Sequence, residues 1–213
     1  AKAKEKGLCL AVDLNHRFTP AALIAKRWVD EGRLGHLLFI NMSMWIKNPT
    51  ESALYFQIKA LHPHTVDVMR WFLGKPKSIV AKIQNLSGAY PIDDNSAAVV
   101  EFASGALGIL DTAWVHRAGP NPMEVYGTDG AMGRNTGPDA AVWLTSTQLQ
   151  PEGIAGWVRP AKLPDALPLP MDQWISAILH DTPMTITIED GRNLTQLLEG
   201  MYKAAASGRE VAF

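Results

Sequence analysis

The stretch LHPHTVDVMRWFLG, Leu61 to Gly74, carries two histidines, an aspartate three residues past the second, and an apolar end closed by glycine. Imidazole has an ordinary pKa near 6.5, so it both gives and takes protons close to neutrality. Metal ligation is the first chemistry to weigh. On a helix His62 and His64 point about 200° apart and cannot share an ion as i, i+4 histidines do. No cysteine lies nearby, so no metal is expected. His64, Asp67, Val68 and Trp71 share one face of the same helix. That face is either a packed surface with His64 bonded to a carbonyl, or a place where His64 moves a proton. The residues alone leave both open.

The chain around this segment has 213 residues, enough for one large domain. It is 47% apolar and 19% charged, which suits a folded core. The net charge is -1 with no basic block, so neither nucleic acid nor an anionic membrane is an expected partner. Cys9 is the single cysteine, which excludes an internal disulfide and points to a reducing cytoplasm. It sits in an apolar run and reads as a small buried hydrophobe rather than a nucleophile. No apolar run approaches the roughly 18 residues of a membrane helix, and no signal peptide is visible. The opening AKAKEKG reads as the last turns of a helix stopped by Gly7, so the chain is expected to start inside a longer helix.

LCLAVDLN, Leu8 to Asn15, is too short an apolar run for a helix and predicts a buried strand. Thr19 and Pro20 form an N-cap and first-turn proline for a helix through Trp28, ended by Gly32. Gly35 to Ile46 predicts a long strand, and Leu61 to Leu73 a helix. SIVAKIQNLSG, NSAAVVEFASG, ALGILDTAW, PMEVYGTDG and AVWLTST are short β-type runs between Gly, Asn and Asp turns, with Ser104 and Gly105 as a hairpin turn. GIAGWVR extends the sheet, and the proline-rich stretch 159–170 is a connector. Two amphipathic helices close the chain. Met171, Trp174, Ile175, Ile178 and Leu179 form one apolar stripe, and Leu194, Leu197, Leu198, Met201 and Ala205 the other, stopped at Gly208. The order predicts an α+β fold with a large, open, mostly antiparallel sheet. Several strands are apolar on both faces, so one face is expected under helices and the other under a second subunit.

HTVDVMRWFLG resembles the His-x-x-Asp-x-x-x-Trp-x-x-Gly stretch of the Gfo/Idh/MocA oxidoreductases. NHRFTPAALIAKRWVDEGRLG, DDNSAAVVEFASGALGILDTAW, VYGTDGAMG and EDGRNLTQLLEGMYKAAASGREVAF resemble further segments of that family, in order along the whole chain. The resemblance implies a C-terminal domain whose open sheet contacts substrate and a partner subunit. It also implies an N-terminal Rossmann domain holding NAD or NADP, with hydride passing between nicotinamide and a sugar, polyol or related carbonyl compound. Residues 1–17 are then the junction with the Rossmann domain, and 18–213 the substrate and oligomerisation domain. None of the seventeen glycines begins a Gly-x-Gly-x-x-Gly turn, so these residues alone are expected neither to bind the dinucleotide nor to turn over substrate.

By the same resemblance His64 is the proton-transfer residue, Asn15 and Arg17 run past the nicotinamide, and Trp45, Lys59, Trp114 and His116 line the substrate pocket. Asp67 reads as structural. Ala60 stands where the family has an aspartate, which would deprive His64 of a carboxylate partner. His16, His36 and His180 read as surface residues. The competing function is a non-enzymatic binding or assembly module built on the same fold.

Overall fold

The computed structural model describes residues 2–46, 57–88, 91–114, 122–134 and 141–213, the side chains of residues 4 and 57–61 excepted. A one-turn helix, α1 (Lys2–Glu5), precedes an irregular segment and a 3-10 turn at Asn15–Phe18. Then follow α2 (Pro20–Asp30), β1 (Leu37–Trp45), α3 (Gln57–Leu73), β2 (Pro76–Gln84), β3 (Asn95–Phe102) and β4 (Leu107–Ala113). β5 (Met123–Gly127), β6 (Gly130–Arg134) and β7 (Val142–Ser146) complete the central run. α4 (Pro170–His180), α5 (Ile188–Ser207) and β8 (Val211–Ala212) end the chain.

The described strands form one sheet in the order β7-β6-β5-β1-β4-β3-β2-β8. β1 and β4 run parallel and every other pair is antiparallel. This is the α+β class expected. α3 supplies the crossover from β1 and lies on β1, β3 and β4, while α5 covers β2. Gly108 in β4 permits the close seat of α3, because a Cβ there would stand 2.4 Å from the Met69 sulfur. α5 begins with a capping box between Thr187 and Asp190 and ends at Gly208, whose φ of 66° favours glycine. Burial alternates along β3, with Ser96, Ala98, Val100 and Phe102 under the helices and Ala97 and Val99 exposed on the far side. Val80 and Leu107 are exposed beside Val99, so the far face of this chain is open and apolar.

Two readings from sequence need correction. Leu8 to Asn15 joins no strand. Leu8 and Leu10 are 64% and 54% exposed, and the segment lies against α4, where Trp174 Nε1 donates to the Cys9 carbonyl at 3.3 Å. GIAGWVR contributes only an isolated bridge between Val158 and Leu144. The α4 stripe is real, but Met171, Ile175, Ile178 and Leu179 are exposed rather than packed. Pattern reports amphipathicity, not what covers the apolar side.

His62 illustrates how α3 is fixed to the sheet. It is fully buried, with Nε2 2.7 Å from Ser96 Oγ in β3 and 2.9 Å from Thr112 Oγ1 in β4. Burial pushes its pKa from 6.5 down to about 3. The unfolded chain therefore takes up this proton near pH 6.5, while the folded chain refuses it down to about pH 3. Neutral His62 favours folding fully above that upper value and progressively less as pH falls, by about 1.4 kcal/mol per pH unit. Urea unfolding at several pH values between about 7 and 5 should show the decline, and His62→Gln should make it shallower, leaving the part due to His16 and His64. Equal slopes in both proteins would remove His62 as the cause.

Candidate active site

Two contacts tie the 3-10 turn to α3. Arg17 grips Asp67 through its Nε–Oδ2 pair at 2.7 Å and its Nη2–Oδ1 pair at 2.5 Å. Its Nη2 also reaches Asp190 Oδ1 at 3.3 Å, at the N-terminus of α5, and the guanidinium lies 5.6 Å from the Trp71 ring centroid. Arg17 and Asp67 are 8% and 2% exposed, so the pair is buried. Burial holds the Asp67 carboxyl above its ordinary value against the pull of Arg17. His16 precedes Arg17, and His64 lies one helical turn before Asp67. The ion pair therefore sets the two imidazoles face to face, with ring centroids 4.3 Å apart and planes 15° from parallel.

The electrostatics keep both rings neutral at pH 7. Burial, followed by His64 and Arg134, lowers the His16 pKa to about 3. Burial lowers His64 as well, while the Asp13 carboxylate pulls it the other way. His64 Nδ1 is buried with no hydrogen-bond partner among the described residues. Arg134, at the end of β6, is 2% exposed, and its Nε and Nη2 are likewise without partners. Burial lowers the Arg134 pKa only to about 10, so the guanidinium stays charged at neutrality.

Of the residues singled out in the sequence, His64 stands half-buried against the turn that carries Asn15 and Arg17. Asn15 is exposed there, whereas Arg17 is closed on carboxylates of its own chain. Trp114 is buried just past β4, its backbone N–H donating to the Asp94 carbonyl at 3.0 Å. Trp45 lines a depression with Lys82, Gln84 and Asn95 on the open face of the sheet, away from His64. Lys59 is in the first turn of α3 with its side chain outside the described residues, and His116 lies outside them altogether. Among the described residues no three His, Cys, Asp or Glu side chains gather to hold a metal. None of the described elements is a strand, glycine-rich turn and helix of the kind that cradles a pyrophosphate. Sequence reasoning missed His16 and Arg134. His16 read as a surface residue because nothing local reveals a stacking partner 48 positions away. Arg134 offered one signal, a charge two residues after Met132 at an inward position of a strand.

A family profile described as the GFO/IDH/MocA C-terminal domain matches residues 23–133. The chain belongs to the Gfo/Idh/MocA family. Among its relatives is levoglucosan dehydrogenase of Pseudarthrobacter phenanthrenivorans, 22% identical over 166 residues, covering 61% of this chain and 43% of the relative. D-apiose dehydrogenase of Rhizobium rhizogenes is 22% identical over 169 residues, covering 73% and 48%. The chain thus spans about half the length of these curated relatives. GenD2 from gentamicin A biosynthesis, solved with NAD, superposes with a TM-score of 0.79 at 27% identity over 99% of this chain and 65% of that one. The aldose-aldose oxidoreductase of Caulobacter crescentus, solved with glycerol, gives 0.82 at 17% identity over 99% and 65%, a likeness of fold. The Gfo/Idh/MocA C-terminal architecture is therefore the one this α+β sheet adopts.

Within that domain the Arg17–Asp67 pair is the joint to break. Asp67→Ala leaves a buried guanidinium without its main counter-charge and should cost about 3–5 kcal/mol in denaturant unfolding. The double variant Arg17→Met, Asp67→Leu should recover much of that loss. A loss below about 1 kcal/mol would mean that the pair does not fix the turn.

Proposed function

We propose that the chain is the substrate-side part of an NAD(P)-dependent oxidoreductase acting on a sugar, a polyol or a related carbonyl compound. Its dinucleotide would be held by a nucleotide-binding domain outside these 213 residues. In this reading residues 1–17 are the junction and 18–213 the substrate-binding and oligomerisation domain. The observation that carries it is the neutral, half-buried His64 with a buried, unpartnered Nδ1. Buried polar atoms are almost always bonded, and each exception calls for an explanation, of which a role in chemistry is one. The likeness to GenD2, solved with NAD, and to two sugar dehydrogenases supports the same reading.

In oxidation the substrate carbon gives up its hydrogen with two electrons as hydride, and the hydroxyl proton passes to His64. Reduction reverses both transfers. The nicotinamide supplies the hydride acceptor or donor. Asn15, exposed on the turn that touches His64, is assigned to the nicotinamide, and Arg17 acts by holding that turn. Asp13, whose charge favours protonated His64, stands in for the carboxylate absent at Ala60. Trp114 and, from outside the described side chains, Lys59 and His116 are assigned to the substrate. Trp45 is assigned to the far side of the sheet.

The test is hydride transfer by the intact gene product, followed as reduced-nicotinamide fluorescence with sugars and polyols. His64→Asn should lower kcat by about 10²–10⁴-fold with an unchanged unfolding midpoint. An unaltered kcat would sink the assignment. The second reading, a binding or assembly module, is favoured by the open apolar face that carries Val80, Val99 and Leu107. It gains if no substrate turns over. In either reading that face is proposed as the contact between copies of the chain in a cytoplasmic homo-oligomer. Val99→Lys should then shift the mass measured by light scattering to the monomer, and an unchanged mass would place the contact elsewhere.

A further inference from the structure

Arg134 ends β6, opposite Met123 of β5 and Val142 of β7. Alternation along the strand puts it on the face of Met132, which is 1% exposed in the core. That is the face on which α3 carries His64. A charge this buried is ordinarily paired. Yet no carboxylate among the described residues forms an ion pair with Arg134, and neither Nε nor Nη2 has a hydrogen-bond partner.

The two empty nitrogens form one edge of the guanidinium, the edge that matches the two oxygens of a carboxylate. The same chain shows the edge in use, since Arg17 holds Asp67 through its own Nε and Nη2. Arg134 is also near the proposed proton-transfer residue. Its charge reaches the imidazole of His16, and His16 lies stacked on His64. The unpartnered guanidinium fork therefore lies within electrostatic reach of the stacked imidazole pair.

We infer that Arg134 is the anchor for a carboxylate on the substrate, so the preferred substrates are hydroxy acids of the sugar series, such as aldonates and uronates, rather than neutral sugars. The carboxylate on the fork fixes one end of the molecule, and a carbinol further along the chain faces His64. The inference rests on the proposed function for the word substrate, but the binding site stands on its own geometry. A phosphate is the other anion that such a fork accepts, brought by a sugar phosphate or by the dinucleotide.

Calorimetric titration of the intact gene product with D-gluconate, D-glucuronate, D-glucose, D-glucose 6-phosphate and NAD separates these sources. The acids should bind about tenfold or more tightly than D-glucose, because a charge-assisted bidentate pair is gained. Arg134→Met should abolish that preference while melting no lower than the parent, since it removes an unpaired buried charge. Arg134→Lys keeps the charge without the fork and should lose about tenfold in acid affinity, which guards against a Met variant that fails to fold. An acid preference that survives both changes overturns the inference. So does a loss of D-glucose 6-phosphate or NAD binding in Arg134→Met, which would make the fork a phosphate site. If acids bind through Arg134 but no hydride moves, the inference stands and the proposed function falls. If neutral sugars turn over and Arg134 is indifferent, the reverse holds.

Discussion

The bidentate pair between Arg17 and Asp67 is the constraint on which the site depends. It joins the turn before α2 to the middle of α3, and Asp190 brings in the N-terminus of α5. Three pieces of chain far apart in sequence meet at one guanidinium. Asp190 also closes the capping box of α5 on Thr187, so one carboxylate orders a helix start and a tertiary contact together. His16 and His64 are held by their neighbours in this arrangement rather than by bonds of their own. That explains how His64 can sit half-buried with one nitrogen unpartnered and still keep a defined orientation.

The sheet divides the molecule into two unlike sides. α3 and α5 press on one, with His62 bonded into β3 and β4 and Gly108 letting α3 come close. The other side exposes Val80, Val99 and Leu107. A sheet with one wet face normally alternates apolar and polar residues, and here the alternation of burial is clean while the alternation of chemistry is not. The same mismatch recurs on α4, whose Ile175 and Ile178 are exposed. Two apolar surfaces of this chain are thus exposed, one on the sheet and one on α4.

Local signals in the sequence were enough for most of the fold. Thr19 does cap α2, the Ser104–Gly105 turn does close the β3–β4 hairpin, and Gly208 does stop α5. These rest on short-range geometry, which a sequence shows directly. Leu8 to Asn15 failed because its apolar character was real while its covering was elsewhere. The site was less legible. His64 and Asp67 were visible as one helix face, and the separation of His62 from His64 followed from helical spacing. The pairing of Arg17 with Asp67, the stacking of His16 and the burial of Arg134 are long-range facts. None leaves a local trace, because an arginine bound for a buried fork looks like any other arginine.

Departures from the rules of a well-satisfied core carry more information here than the conformities. His64 Nδ1, Arg70 Nε and the Nε and Nη2 of Arg134 are buried without partners. Arg70 is explained by its surroundings, since Asp190 and Asp67 both lie within electrostatic reach and favour its charge. Arg134 has no such compensation, and its charge is felt instead by His16. Random defects of packing would scatter, and each would weaken the fold for no return. Here two uncompensated groups, an imidazole and a guanidinium, both lie in reach of His16. The Arg17–Asp67 pair supplies the rigidity that lets the fold tolerate them.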